Sequence, residues 1–134
     1  MIKGIDHVAV AVENIDTALE LLKTVLGITP DHRETIEGYG VETATLKLGN
    51  TAIELVAGTT PDSPISKYIE KRGPGIHHIA LEVDDIAAAI ATVSENAEMI
   101  DTTARPGKDD SRVAFIHPRS TGKILFELVE NAKK

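Results

Sequence analysis

Gly4-Ile5-Asp6-His7-Val8-Ala9-Val10 is answered 71 residues later by Gly75-Ile76-His77-His78-Ile79-Ala80-Leu81. The echo continues at the same offset through Val12-Glu13-Asn14-Ile15 and Val83-Asp84-Asp85-Ile86. The ends of the two halves also match, Ala52-Ile53-Glu54-Leu55-Val56 with Leu125-Phe126-Glu127-Leu128-Val129. Two copies are too few for a solenoid. The pattern predicts a pseudo-symmetric pair inside a single domain, residues 1-134, with modules at about 1-58 and 73-134.

Working outward, residues 4–12 and 75–83 are β-branched and apolar runs that predict buried strands. Asn14 and Asp85 stand where helix N-caps belong. Ala18, Leu19, Leu22, Val25 and Leu26 form a helical stripe that Gly27 ends, and Ala88, Ala89, Ile90 and Val93 form its counterpart. A hairpin is expected over 41–48 and 51–56 across Gly49-Asn50, and a second over 112–116 and 123–129 with a longer loop, His117 to Gly122. Thr59 to Pro74, rich in Pro and Gly, reads as a linker with one short helix around 66–71. The expected fold is α+β, each half running strand, helix, then strands.

Strand parity then sorts the side chains, because neighbours along a strand face opposite ways. Val8, Val10 and Val12 share one face, and His7, Ala9 and Ala11 the other; Ile79, Leu81 and Val83 oppose His78, Ala80 and Glu82. A face of His and Ala leaves room beside a polar group, as the wall of a cavity does. Glu54 and Glu127 each interrupt an apolar strand, which is costly unless the carboxylate is paired or binds metal. A single His or Glu of this kind is more often structural. Repetition at matching places points to a shared partner, and the repeat register selects His78 over His77. His7, Glu54, His78 and Glu127 are therefore the expected ligands of one divalent metal ion, a mixed imidazole–carboxylate set. His32, His117 and the pair Asp109-Asp110 lack this context and read as surface groups.

Composition limits the alternatives. There is no cysteine, so disulfides and thiolate metal sites are ruled out and a cytoplasmic home is expected. A net charge of −7 without a basic run, and 3% aromatic residues, argue against nucleic acid. No apolar run approaches the ~18 residues of a membrane helix.

The stretches Ile5 to Val10, Leu48 to Leu55, Asp62-Ser63-Pro64-Ile65, Gly75 to Asp84 and Phe115 to Gly122 together resemble the vicinal oxygen chelate superfamily, which includes glyoxalase I. Within it the resemblance is to the methylmalonyl-CoA epimerases. It implies two tandem βαβββ modules forming a cupped mixed sheet around a metal site, with metal ligation by His7, Glu54, His78 and Glu127, cobalt the first expectation and nickel, manganese or zinc the others. It also implies a homodimer, an acyl-CoA substrate, and interconversion of the 2R and 2S forms of methylmalonyl-CoA with Glu127 as a catalytic base. Phosphate contacts are expected from among Lys67, Lys71, Arg72, Lys108, Arg112 and Arg119. Two positions depart from the pattern. Some epimerases have Gln where this chain has Glu54. Some also have a Glu base where alignment from Gly40-Val41 gives Thr43; the adjacent Glu42 could serve only through a β-bulge. The alternatives are a glyoxalase I-type lactoylglutathione lyase and a metal-free small-molecule binding protein of the same fold.

Overall fold

The computed structural model describes residues 1–36 and 38–133. Each βαβββ module is present. The first is β1 (Ile2–Ala11), α1 (Ile15–Leu26), β2 (His32–Ile36), β3 (Val41–Leu48) and β4 (Thr51–Gly58). Then α2 (Pro64–Arg72) leads into β5 (Gly75–Val83), α3 (Ile86–Ser94), β6 (Arg105–Pro106), β7 (Arg112–Ile116) and β8 (Phe126–Glu130). β1 pairs β4 in parallel, β5 pairs β8 in parallel, and the hairpin neighbours are antiparallel. The α+β class and mixed pairing agree with the sequence reading.

Local signals explain the boundaries. Asn14 accepts the Thr17 N–H and Asp85 accepts the Ala88 N–H, each satisfying a donor at a helix start. Gly27 closes α1 in the left-handed conformation, φ 68°. α2 is longer than the 66–71 expected, because Ser63 caps it and Pro64 sits in its first turn, where a missing N–H costs nothing. β8 begins later than the expected residue 123. Gly122 and Lys123 both have positive φ, which belongs to a turn and delays strand pairing.

The chain forms two compact units. Val8–His77 holds strands in the order β2-β3-β4-β1. On one face α1 packs Ile15, Ala18, Leu19 and Leu22 against Val10, Val12, Ala44, Leu46, Leu55 and Ala57. On the other, α2 packs Ile65, Tyr68 and Ile69 against Ala11, Val41 and Val56. The face of small residues on β1 is thus covered by α2 at its Ala11 end, which alternation alone did not reveal. The other unit, Met1–His7 with residues from His78 onward, holds the order β1-β5-β8-β7-β6. There α3 packs Ile86, Ala89 and Ile90 against Val83, Ala114, Ile116 and Leu128. Ala80, Val113 and Val129 cluster separately. Strand parity places these three on the opposite face of the sheet from Val83 and Leu128.

Candidate metal centre

Three of the four expected ligands meet inside one unit. His7 Nε2 lies 3.3 Å from His78 Nε2, and Glu127 Oε1 lies 3.5 Å from each of them. An ion bound at about 2.0–2.2 Å needs donors roughly 2.8–3.6 Å apart for right-angled to tetrahedral bonds. The triangle of donors fits that window. His78 and Glu127 are buried, 8% and 7% exposed, and His7 is partly buried. In such a place a carboxylate among ring nitrogens calls for a cation or a proton.

The backbone accounts for the convergence. Ala80 on β5 is in register with Glu127 on β8, and His78 is two residues before Ala80 on the same face. The first module repeats this arrangement: Ala9 on β1 is in register with Glu54 on β4, and His7 is two residues before Ala9. Glu54 is partly buried and belongs to the Val8–His77 unit; the three-residue group does not include it. His77 turns elsewhere, its ring edge-on to Tyr68 at 4.8 Å.

His7 is held from behind. Its Nδ1 is 2.7 Å from Asp6 Oδ2. The Asp6 carboxylate stays below its ordinary range, chiefly through this hydrogen bond, with burial opposing and Asn131 assisting. An ionised carboxylate only accepts, so Nδ1 carries the hydrogen and, in the neutral ring, Nε2 presents a lone pair to the cluster. Asn131 Nδ2 in turn donates to Asp6 Oδ1 and Glu82 Oε2, both at 2.8 Å. Neither Asp6 nor Asn131 was among the expected site residues. A partner 125 positions away leaves no spacing signal in a sequence.

His78 meets the ring of Phe115 edge-on at 5.3 Å, which buries one side of the imidazole. Phe115 is in register with Glu127. The alternative base fares differently. Glu42 accepts from Arg33 at 2.9 Å, and Arg33 also holds Asp16 of α1 at 2.7 Å, so Glu42 faces the helix α1. β3 keeps unbroken register with β2 and β4, leaving no bulge that could turn Glu42 around. Thr43 is 3% exposed, and its Oγ1 has no hydrogen-bond partner among the described residues.

The remaining expectations divide. His32 and Asp109-Asp110 are exposed. His117 is half-buried and caps a short turn by accepting the Arg119 N–H, a structural task. Arg119 reaches back to His117 and Glu98, Arg112 to the Ala104 carbonyl, and Arg72 lies over Tyr68. Among the described residues, no helix is long and apolar enough to cross a membrane.

With this geometry in place, comparison with known proteins is informative. The profile of the Glyoxalase/Bleomycin resistance protein/Dioxygenase superfamily matches residues 6–115. The mitochondrial methylmalonyl-CoA epimerase of Dictyostelium discoideum is 39% identical over 94% of this chain and 77% of its own length. The crystal structure of the Mycobacterium tuberculosis methylmalonyl-CoA epimerase superposes with a TM-score of 0.90 at 37% identity, covering 98% of this chain and 90% of the other. A methylmalonyl-CoA epimerase solved in complex with methylmalonyl-CoA and NH4+ superposes with a TM-score of 0.91 at 31% identity, covering 98% of this chain and 96% of the other.

Proposed function

Because the chain belongs to the Glyoxalase/Bleomycin resistance protein/Dioxygenase superfamily, we propose that it is a divalent-metal-dependent epimerase that interconverts the 2R and 2S forms of methylmalonyl-CoA. The observation that carries this is the triangle of His7, His78 and Glu127 donor atoms with edges of 3.3 to 3.5 Å. The epimerases that match across nearly the whole chain support the choice of reaction. Glu54 is proposed as the fourth ligand, because its register with Ala9 repeats that of Glu127 with Ala80. Cobalt is the proposed ion, with nickel, manganese or zinc as the other outcomes of elemental analysis. We also read residues 1-134 as one domain, acting as a homodimer in the cytoplasm.

The reaction begins with the weakly acidic proton on the carbon between the thioester and the carboxylate. Its removal places negative charge on the thioester oxygen. His7, His78 and Glu127 would hold a divalent ion that, when bound, would supply Lewis-acid stabilisation of that charge. Glu127 is the proposed base. Its Oε1 faces both imidazoles, and Oε2 is the oxygen assigned to the proton. Phe115 covers one side of His78 and limits water there. Glu42 is engaged with Arg33, so return of the proton to the other face falls to water or to Glu54.

A second reading, a glyoxalase-type isomerase, is favoured by one observation, the carboxylate Glu54 at a position where some epimerases have Gln. Incubation of metal-loaded protein with methylmalonyl-CoA in deuterated water separates the two. Deuterium at the carbon between the carbonyl groups is the expected result, and no exchange would overturn the epimerase. Glu127→Gln should cut the exchange rate by about 10²-fold or more, and full turnover by this variant would remove Glu127 as the base. Protein that purifies without metal and refuses to take it up would favour the metal-free binder.

A further inference from the structure

Next to the metal triad stands a cation that the sequence did not single out. Arg105 of β6 places its guanidinium carbon 5.4 Å from the centre of the Phe115 ring, and Phe115 is the ring that meets His78 at 5.3 Å. Arg105 is in register with Val113, which is two residues before Phe115 on β7. It therefore sits on the face of the sheet that carries Phe115 and Glu127. One carboxylate sets this geometry: Asp101 Oδ1 binds Arg105 Nε at 3.3 Å, while its Oδ2 accepts the Phe115 N–H at 2.8 Å.

The consequence lies in the guanidinium's shape. Its five N–H donors form a planar fork, and Asp101 uses the Nε side. That contact leaves the edge between the two terminal nitrogens to a further partner, on a side chain 47% exposed. A cation stacked on a ring and clamped at Nε has little freedom left to lose on binding an anion. The whole chain carries −7, so an anionic substrate needs a local positive group to offset that field. Phe115 thus neighbours both the His78 ring of the metal triad and the guanidinium.

We propose that Arg105 receives an anionic group of the substrate, with Asp101 as its positioning residue. This rests on the acyl-CoA reading above. The shared chemistry is a pair of anionic oxygens matching the guanidinium fork, either the acyl carboxylate or a phosphate of the CoA moiety.

The test measures binding of malonyl-CoA to metal-loaded protein by titration calorimetry, for wild type, Arg105→Met and Arg105→Lys. Arg105→Met should weaken binding by about tenfold to a hundredfold, with Arg105→Lys recovering part of it. Repeating the series with malonyl-pantetheine keeps the carboxylate and removes the nucleotide phosphates. A persisting loss identifies the carboxylate as the bound group, and a vanishing loss identifies a phosphate. Equal affinity of wild type and Arg105→Met overturns the assignment alone. So does a loss shared in full by Arg105→Lys together with a lowered melting midpoint, since that marks a purely structural role. Failure of the wild type to bind malonyl-CoA overturns the acyl-CoA reading along with it.

Discussion

Asp6 shows how a residue that touches no substrate can set the chemistry of one that does. A histidine can ligate through either ring nitrogen, and the hydrogen bond at the other nitrogen decides which. Here Asp6 takes the Nδ1 hydrogen of His7, and Asn131 keeps Asp6 in place. Asp6→Ala should therefore weaken metal binding by about 10–100-fold, measured by competition with a chromogenic chelator. The metal-free variant supplies a second readout, because the nitrogen-15 shifts of the His7 ring should lose the Nδ1–H pattern seen in the wild type. Unchanged affinity and unchanged shifts would show that the ring is oriented by something else. The parent residues were legible at this scale in unequal measure. His7, His78 and Glu127 announced themselves through repetition. Asp6 was visible as part of the repeated stretch, but its counterpart in the second copy is His77, so the repeat argued against a shared role.

At the scale of elements, the contact of α2 with the end of β4 controls how the first unit closes. Gly58 is the last residue of β4, and a Cβ added there would run into the side-chain oxygens of Ser63 and Ser66. Those two serines are not spectators. Ser63 caps α2 and bonds Ser66, and Ser66 Oγ donates to the Thr60 carbonyl at 2.7 Å. Gly58→Ala should break this cap and cost about 1–3 kcal/mol, read as a lower denaturation midpoint in urea with unchanged slope. Neutral behaviour would mean that α2 can shift without loss. Elements with strong period or caps were legible: β1, β5, α1, α3 and the hairpin strands stand close to where the sequence puts them. β2 and β6 were not assigned residues, for a physical reason. His32-Arg33-Glu34-Thr35-Ile36 has one apolar residue and β6 has two residues in all, so neither carries the alternation on which strand reading depends. Each is held in place by its partner, β2 by β3 and β6 by β7.

At the scale of the molecule, the duplication explains why a site spread over the chain could be read at all. Each copy carries a strand with His two positions before a small residue, and a later strand whose Glu pairs in register with that small residue. Neither half of the motif singles out a ligand alone; the match between them made all four residues candidates, of which His7, His78 and Glu127 converge. The assembled triad joins residues near the start, middle and end of the chain, 7, 78 and 127, so a bound ion closes long loops that an unfolded chain leaves open. Ligands that bind only the native state stabilise it by mass action. At a metal concentration one hundred times the dissociation constant the gain is about 2.7 kcal/mol, which for a chain of this size raises the melting temperature by roughly 8–12 °C. Stripping the protein with a chelator and re-adding metal should therefore lower and then restore the midpoint, with a rise that grows as the logarithm of free metal. The same titration on a His78→Ala, Glu127→Ala protein should be flat, because two of the three converging donors are gone. A midpoint indifferent to metal in the wild type would remove the metal centre from the account and leave the small-molecule binder as the reading of this fold.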